Sequence, residues 1–220
     1  MVEERVPEST PQIRRLESTH AQEAGALIAN AFQQETLSNT LLDMSYPDAQ
    51  KRIARLYGAF ILGYLAQEQP VLAALTGERL AGVLIGRSPH ARTSTLRSVQ
   101  TLLGNLRNVA GFVPLVRWRK LSIQRAVAPP EQLPKSHYTI DMLGVAPEVQ
   151  GQGIGRRLLD VFHQIADSDL QASGVYLITA DERPRRLYDQ EGYQILLRAV
   201  TGDVTVYHMF RPAPDASPRP

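Results

Sequence analysis

Residues 142–159 read Met-Leu-Gly-Val-Ala-Pro-Glu-Val-Gln-Gly-Gln-Gly-Ile-Gly-Arg-Arg-Leu-Leu. An apolar strand stops at Pro147, a turn carries three glycines at alternate positions, and an apolar-periodic run follows from Ile154. Lacking Cβ atoms, Gly151, Gly153 and Gly155 can take positive φ angles and gather backbone N–H groups round an anion. The helix that follows points its unpaired donors and positive dipole end at the same spot. The stretch reads as strand, phosphate cradle and helix, so a phosphorylated ligand is expected there.

Two familiar loops fail on side-chain identity. A dinucleotide-binding fingerprint needs a small residue at its third glycine position, and counting from Gly151 that position holds Arg156. A nucleotide-triphosphate loop needs Gly-Lys-Ser/Thr where this chain has Arg156, Arg157 and Leu158. What fits is Gln150-x-x-Gly153-x-Gly155, which resembles the pyrophosphate-binding pattern of the GNAT superfamily of acyl-CoA N-acyltransferases. The resemblance runs on through Val175-Tyr176-Leu177-Ile178-Thr179, Glu182-Arg183, Leu187-Tyr188 and Gly192-Tyr193, in the order of that family's next strand, helix and strand. It is specific from about His137 to Tyr193; before His137 it rests on the order of elements.

Composition sets the outer bounds. The chain of 220 residues suits one domain, expected over 11–210, with disordered segments at 1–10 and 211–220. A hydrophobic fraction of 43% and a charged fraction of 21% are those of a soluble protein. The longest apolar candidate, Leu56 to Ala66, is too short to cross a bilayer. The acidic start lacks the apolar core of an export signal, so no membrane is expected and the cytoplasm is the default location. The chain has no cysteine, which excludes disulfides, thiolate metal sites and a cysteine acyl-enzyme. Five histidines without ligand-like spacing give no support for a metal. A net charge of +2 suits a phosphorylated ligand without calling for nucleic acid.

Reading along the chain, residues 11–17 form a first strand, and Thr19 caps a helix from His20 to about Phe32. A second helix starts after Pro47 and ends near Gln67, and Val71 to Thr76 and Leu80 to Ile85 form a hairpin through Gly77-Glu78-Arg79. Residues 88–133 are an insertion relative to a minimal member. Leu96, Val99, Leu102, Leu103 and Leu106 predict one helix there, and Val113 to Val127 a second. Arg92, Arg97, Arg107, Arg117, Arg119, Lys120 and Arg125 make it basic, either as a solvated face or as a wall that favours an anionic acceptor. From His137 the chain alternates. Thr139, Asp141, Leu143 and Val145 share one face, and Tyr138, Ile140, Met142 and Gly144 the other. The last strand is expected over Val204 to Phe210. The order predicts an α/β fold of GNAT type: a mixed, mostly antiparallel central sheet flanked by helices, with a helical insertion before the central strand.

The resemblance implies acetyl-CoA as co-substrate, its arm lying in a V that a bulge opens in the central strand beside Leu143, Gly144 and Val145. Gly144 is placed to permit that bulge. The pyrophosphate would lie at Gln150, Gly151, Gln152, Gly153, Ile154 and Gly155. Arg156 and Arg157 oppose the dipole of the helix they open by about 0.3–1 kcal/mol each, which points to an anion beside them. Asp181 stands where members commonly place an asparagine against the cofactor arm, and it can cap the following helix. His163 and Asp167, at i and i+4, read as a surface pair.

Acyl transfer to an amine requires a base and a proton for the departing thiolate. Asp141 is the first choice of base, with His137 and Glu35 behind it. Tyr188 resembles the family's tyrosine that protonates the thiolate; a phenol of pKa about 10 faces a thiol of about 8.5. The implied function is transfer of an acetyl or other acyl group from coenzyme A to a small-molecule or peptide amine by direct attack in a ternary complex. Two other readings stay open: an acyl-CoA-binding regulatory module without turnover, and an interaction protein that uses its basic insertion. A homodimer through the final strands or the insertion is compatible with the sequence.

Overall fold

The computed structural model describes residues 11–90, 110–117 and 123–214. Strands β1 (Gln12–Arg15), β2 (Val71–Thr76), β3 (Arg79–Arg87), β4 (Tyr138–Val145), β5 (Gly174–Thr179), β6 (Gln194–Thr201) and β7 (Val204–Pro212) form one sheet in the order β1-β2-β3-β4-β5-β7-β6. All neighbours pair antiparallel except β4 and β5. The helices are α1 (Ala21–Ala31), α2 (Thr36–Leu41), α3 (Ala49–Ala66), α4 (Ile123–Val127), α5 (Ile154–Asp167) and α6 (Glu182–Gln190). This is the mixed, mostly antiparallel α/β sheet that the order of elements predicts.

The sheet is covered on both faces, which is why β2 and β3 read as nearly continuous apolar runs. Ala73, Val83 and Ile85 face α1 and α3, where they meet Ile28, Ile53 and Ile61. Leu72, Ala74 and Leu84 turn the other way, onto Leu158, Leu159 and Phe162 of α5.

The central opening arises from a count of residues in β4. Ile85 of β3 pairs with Met142 and Gly86 with Ile140, so Asp141 is an extra residue bulged out of the ladder. Alternation therefore slips. Tyr138 and Ile140 join the α5 side, as do Leu143 and Val145, while Met142 joins the α1 side. The unbroken four-residue faces expected from alternation are not formed. Nor does Gly144 make the bulge: a Cβ there would lie 2.8 Å from Ile28 Cδ1 and 3.2 Å from Ala31 Cβ, so this glycine lets α1 rest on the strand. On its other edge β4 pairs with β5 only from Tyr138↔Val175 to Ile140↔Leu177, and beyond that point the two strands part.

Four further expectations change. Residues Ser18–His20 form a 3-10 turn and α1 begins at Ala21 with no side-chain cap, so Thr19 does not cap it. Residues 113–127 are not one helix. A 3-10 turn over Val113–Leu115 ends where Val116 extends to bridge Leu42, and α4 covers Ile123–Val127. Pro114 and the burial of Leu115 favour that break. The last strand runs on to Pro212, and Arg211 forks onto both oxygens of Asp167 at 2.8 and 2.9 Å. His163 is thus no surface partner of Asp167; it lies inside, its Nε2 2.9 Å from the Tyr193 hydroxyl. The helix expected over residues 96–110 lies almost wholly outside the described residues, as do the disordered segment expected at 1–10 and residues 215–220 of the tail.

Candidate active site

Two of the three glycines of the turn have the backbone that its composition predicts, while Gly155 already lies in the first turn of α5. Gly151 and Gly153 have φ of 83° and 78°, the left-handed region where a side chain is strained. Gly153 is the N-cap of α5, and the first intrahelical bond runs from Arg157 N–H to the Gly153 carbonyl at 3.1 Å. The N–H groups of Ile154, Gly155 and Arg156 therefore lack intrahelical acceptors and point outward. Gln150 braces the turn, its side-chain amide donating to the Val145 carbonyl at 3.2 Å.

These residues border a groove of about 470 Å³. Leu143, Val145, Gln150, Gly151, Gly153, Ile154, Gly155 and Arg156 form one wall; Arg183, Pro184, Leu187 and Tyr188 form the other. The structure brings together most of the expected cofactor residues here. Gln152 is exposed and does not line the groove, Gly144 packs under α1, and Asp181 faces a different cavity. Arg156 borders the groove, yet its guanidinium reaches across to Glu191 Oε1 at 2.6 Å and Gln190 Oε1 at 2.9 Å. Its charge is met by that carboxylate and the negative end of α6, which removes the need for a nearby anion. Arg183, quoted for the resemblance but given no site role, supplies positive charge to the opposite wall.

A second cavity of about 300 Å³ opens where β4 and β5 part. Phe32, Glu35, Leu37, Ser38, Leu41, Tyr57 and Phe112 line it from the helical side; Ile140 to Leu143, Leu177 to Thr179 and Asp181 line it from the sheet. Leu143, Pro184 and Tyr188 line both cavities, so the groove and the second cavity meet at these three side chains.

Three carboxylates reach the second cavity, each held differently. Asp141 receives Arg87 Nε and Nη2 at 2.8 Å each and the Tyr64 hydroxyl at 3.0 Å. That forked pair holds the Arg87 proton more firmly, and burial, with the adjacent Asp141 charge, pushes the Tyr64 hydroxyl up. Both carboxylate oxygens of Asp141, the expected base, are thus engaged by neighbouring side chains. Glu35 is the N-cap of α2, accepting the Ser38 N–H at 2.6 Å. Burial raises its pKa above the ordinary carboxylate value against the hydrogen bonds from Ser38 and Leu37, and the Asp181 charge adds to the rise. Asp181 does not cap its own helix. It accepts the Thr36 hydroxyl at 2.5 Å and the Thr36 N–H at 3.3 Å, which ties the β5–α6 connection to the first turn of α2.

Tyr188 is buried at the junction, and desolvation foremost, then the Glu35 charge, pushes its hydroxyl up to about 12. Outright proton transfer to a thiolate is harder than an ordinary phenol would make it, although the same desolvation raises the thiolate's own proton affinity. A phenol of this kind stays protonated and is able to donate a hydrogen bond. His137 lines neither cavity. Its Nδ1 lies 2.6 Å from the Pro134 carbonyl and its ring meets Tyr176 edge-on, a structural placement.

Of the basic wall suggested for the insertion, neither described residue, Arg117 or Arg125, lines the cavity. The insertion's lining contribution among the described residues is Phe112, while Arg117 bonds the Asn39 carbonyl at 3.0 Å and pairs with Asp43 at 3.5 Å. Arg92, Arg97, Arg107, Arg119 and Lys120 lie outside the described residues. Asp160, His163 and Glu191 could bring one ligand atom each within 4.8 Å of the others, but His163 is bonded to Tyr193 and Glu191 to Arg156. Among the residues that sequence reasoning underrated, Glu35 carried a signal: an acidic residue just before a short helical run can cap it. Arg87 and Tyr64 carried none, since their partnership with Asp141 depends on the bulge.

Residues 109–195, which hold β4, the glycine turn, α5, β5 and α6, match the family model described as an acetyltransferase (GNAT) domain. No curated protein matches the chain. Among solved structures, a histone acetyltransferase and related acetyltransferase from Corynebacterium glutamicum is similar over 94% of this chain and 99% of that one, with a TM-score of 0.64 at 18% identity. The ribosomal-protein-S18-alanine N-acetyltransferase of Escherichia coli is similar over 96% and 98%, with a TM-score of 0.52 at 14% identity. The C-terminal condensation domain of Ebony, solved with β-alanyl-dopamine, gives 92%, 99%, 0.60 and 12% for the same quantities. At these identities the likeness is one of fold.

Proposed function

We propose, from the match of residues 109–195 to a GNAT acetyltransferase domain and from the likeness in fold, that the chain transfers an acetyl group from acetyl-CoA to a primary amine by direct attack in a ternary complex. The observation that carries this reading is the meeting of two cavities at Leu143, Pro184 and Tyr188. A donor in one can face an acceptor in the other without a covalent enzyme intermediate.

The groove fits coenzyme A on its own chemistry. Glycines at positive φ leave the N–H groups of the turn unshielded for a pyrophosphate, Arg183 adds charge, and the edge of β4 beyond Ile140 is free of its parallel neighbour. When bound, acetyl-CoA supplies an activated thioester. The remaining work falls to side chains. Glu35 takes a proton from the acceptor ammonium, directly or through water. An alkylammonium of pKa about 10.4 stands far above an ordinary carboxylate, and burial of Glu35 narrows that gap. Tyr188 donates a hydrogen bond to the departing sulfur. Asp141 acts with Arg87 and Tyr64 to hold the bulge rather than to move a proton. Asp181 holds α2, and with it Glu35, over the cavity. Among the described residues no helix is long and apolar enough to cross a membrane, and we place the activity in the cytoplasm.

The test is release of free thiol from acetyl-CoA in the presence of a panel of amines. Turnover that falls in Glu35→Gln and in Tyr188→Phe supports the reading. Thermal stabilisation by acetyl-CoA with no thiol release for any amine overturns it in favour of a regulatory binding module.

A further inference from the structure

The second cavity has a chemistry of its own. Its aromatic and aliphatic walls include Phe32 and Tyr57, whose rings meet edge to face at 6.4 Å, together with Leu41 and Phe112. Among the described residues, no lysine or arginine lines it. Of its three carboxylates, Asp141 is neutralised by Arg87, whereas Glu35 and Asp181 form no ion pair among the described residues. Surplus negative charge is therefore confined to Glu35 and Asp181, which act on each other, and Glu35 also acts on Tyr188 at the junction. At about 30 Å³ per water, the 300 Å³ cavity takes roughly ten non-hydrogen atoms, the low end for a ligand pocket.

We infer that the acceptor is a small arylalkylamine, its ammonium between Glu35 and Asp181 and its uncharged ring against Phe32, Tyr57 and Phe112. The inference rests on the acyl-transfer reading above. An amino acid fits poorly, because its α-carboxylate would face Glu35 and Asp181 with no cation among the described residues to meet it. A polyamine fits poorly too, because its second ammonium would leave water for apolar walls. A ring finds edge and face partners there. In the reaction the ammonium gives a proton to Glu35 and the freed amine nitrogen bonds to the acyl carbon. The carbon–sulfur bond breaks with its electron pair on sulfur. Of the two protons the nitrogen loses overall, one ends on the thiol and one in water, leaving an amide and free coenzyme A.

The experiment uses the full chain, acetyl-CoA and thiol release, comparing 2-phenylethylamine with phenylalanine, spermidine and an alanyl peptide. The expected result is kcat/KM for 2-phenylethylamine about tenfold or more above each of the others. Equal or better turnover of any of these overturns the acceptor inference while leaving acyl transfer standing; no thiol release with any amine overturns both. Phe112→Asp should raise KM for 2-phenylethylamine more than it changes kcat and should improve spermidine, with thermal stabilisation by acetyl-CoA showing that the fold and groove persist. Should that variant lose the stabilisation, Phe112→Leu serves instead, and it should narrow the preference for 2-phenylethylamine over hexylamine. Unaltered discrimination in the folded variant overturns the placement of the ring.

Discussion

Gly153 and Gly155 stand two residues apart in one motif, yet alanine at the two positions should shift stability in opposite directions. Gly153 has φ of 78°, and no atom of the described residues lies within 4 Å of the point where an alanine methyl would stand, so the cost of alanine there is conformational, not steric. A left-handed alanine costs about 1–2 kcal/mol. Gly155 lies in the first turn of α5 with ordinary helical angles, and its added Cβ would meet Val145 Cγ2 at 3.6 Å, a normal contact. Alanine there gains about 0.5–1 kcal/mol by restricting the unfolded chain. For a protein of this size, with about 2–4 °C per kcal/mol, Gly153→Ala should lower Tm by about 2–8 °C and Gly155→Ala should raise it by about 1–4 °C. Binding should behave differently, because both methyls reach the groove: calorimetric titration with acetyl-CoA should show weaker binding in each variant. Thermal melts of the two free proteins decide the matter. If Gly155→Ala melts as low as Gly153→Ala, or if Gly153→Ala melts with the parent, the backbone account of this turn is wrong.

Tyr188→Phe should lose turnover on the order of 10²-fold while acetyl-CoA still stabilises the protein; undiminished thiol release would leave the ring as packing only. Glu35→Gln should lose turnover on the order of 10²-fold or more, and it should remove the limb of parental kcat/KM that rises with pH through a pKa above 4.5. Because burial raises the folded pKa of Glu35, the stability tied to its neutral form is complete below the unfolded value and is lost as pH rises through the folded one. The melting temperature of Glu35→Gln relative to the parent should therefore climb from pH 4 to pH 7, and a falling difference would refute the burial argument. His163 has the opposite sign. Desolvation foremost, and then Arg211, lower its pKa to about 4, so the stability of the neutral ring is complete above about 6.5 and is lost as pH falls toward 4. At about 1.4 kcal/mol per unit the loss approaches 3 kcal/mol, and His163→Gln should flatten that acid limb in chemical denaturation.

Where a feature of the site is made by local chemistry, it was legible in the sequence. The glycine turn, the helix it opens and the alternating apolar strand before it are short-range patterns, and they led to the groove and to the likeness in fold. Most of the residues from Leu143 to Arg156 that were read together in the sequence line one groove for that reason. What escaped depends on register and on contacts distant along the chain. Asp141 reads as a base on the strand, and its forked partner Arg87, 54 residues earlier, could not be read from that spacing. Asp181 looks like a cap for its own helix and instead holds Thr36, 145 residues away. Glu35 gains its character from depth, which no short window records. His163 illustrates the same limit: its spacing to Asp167 suggested a pair, but the turn of α5 that brings Phe162 into the core brings His163 with it.

The bulge at Asp141 also means that the site depends on how many residues β4 contains, separately from which residues they are. Asp141→Asn keeps the count, so the sheet should part in the same place even though the forked ion pair is weakened. Deleting residue 141 would keep every other side chain and restore unbroken alternation with β3. Held in its present register at Val145, the strand would then send Tyr138 and Ile140 to the opposite face from the one they now occupy. Tyr138, which meets Phe162 edge-on, and Ile140 would turn away from α5 toward α3, and the core and the cavity would lose their walls together. Position 141 can thus tolerate wide changes in chemistry but not a change in the number of residues.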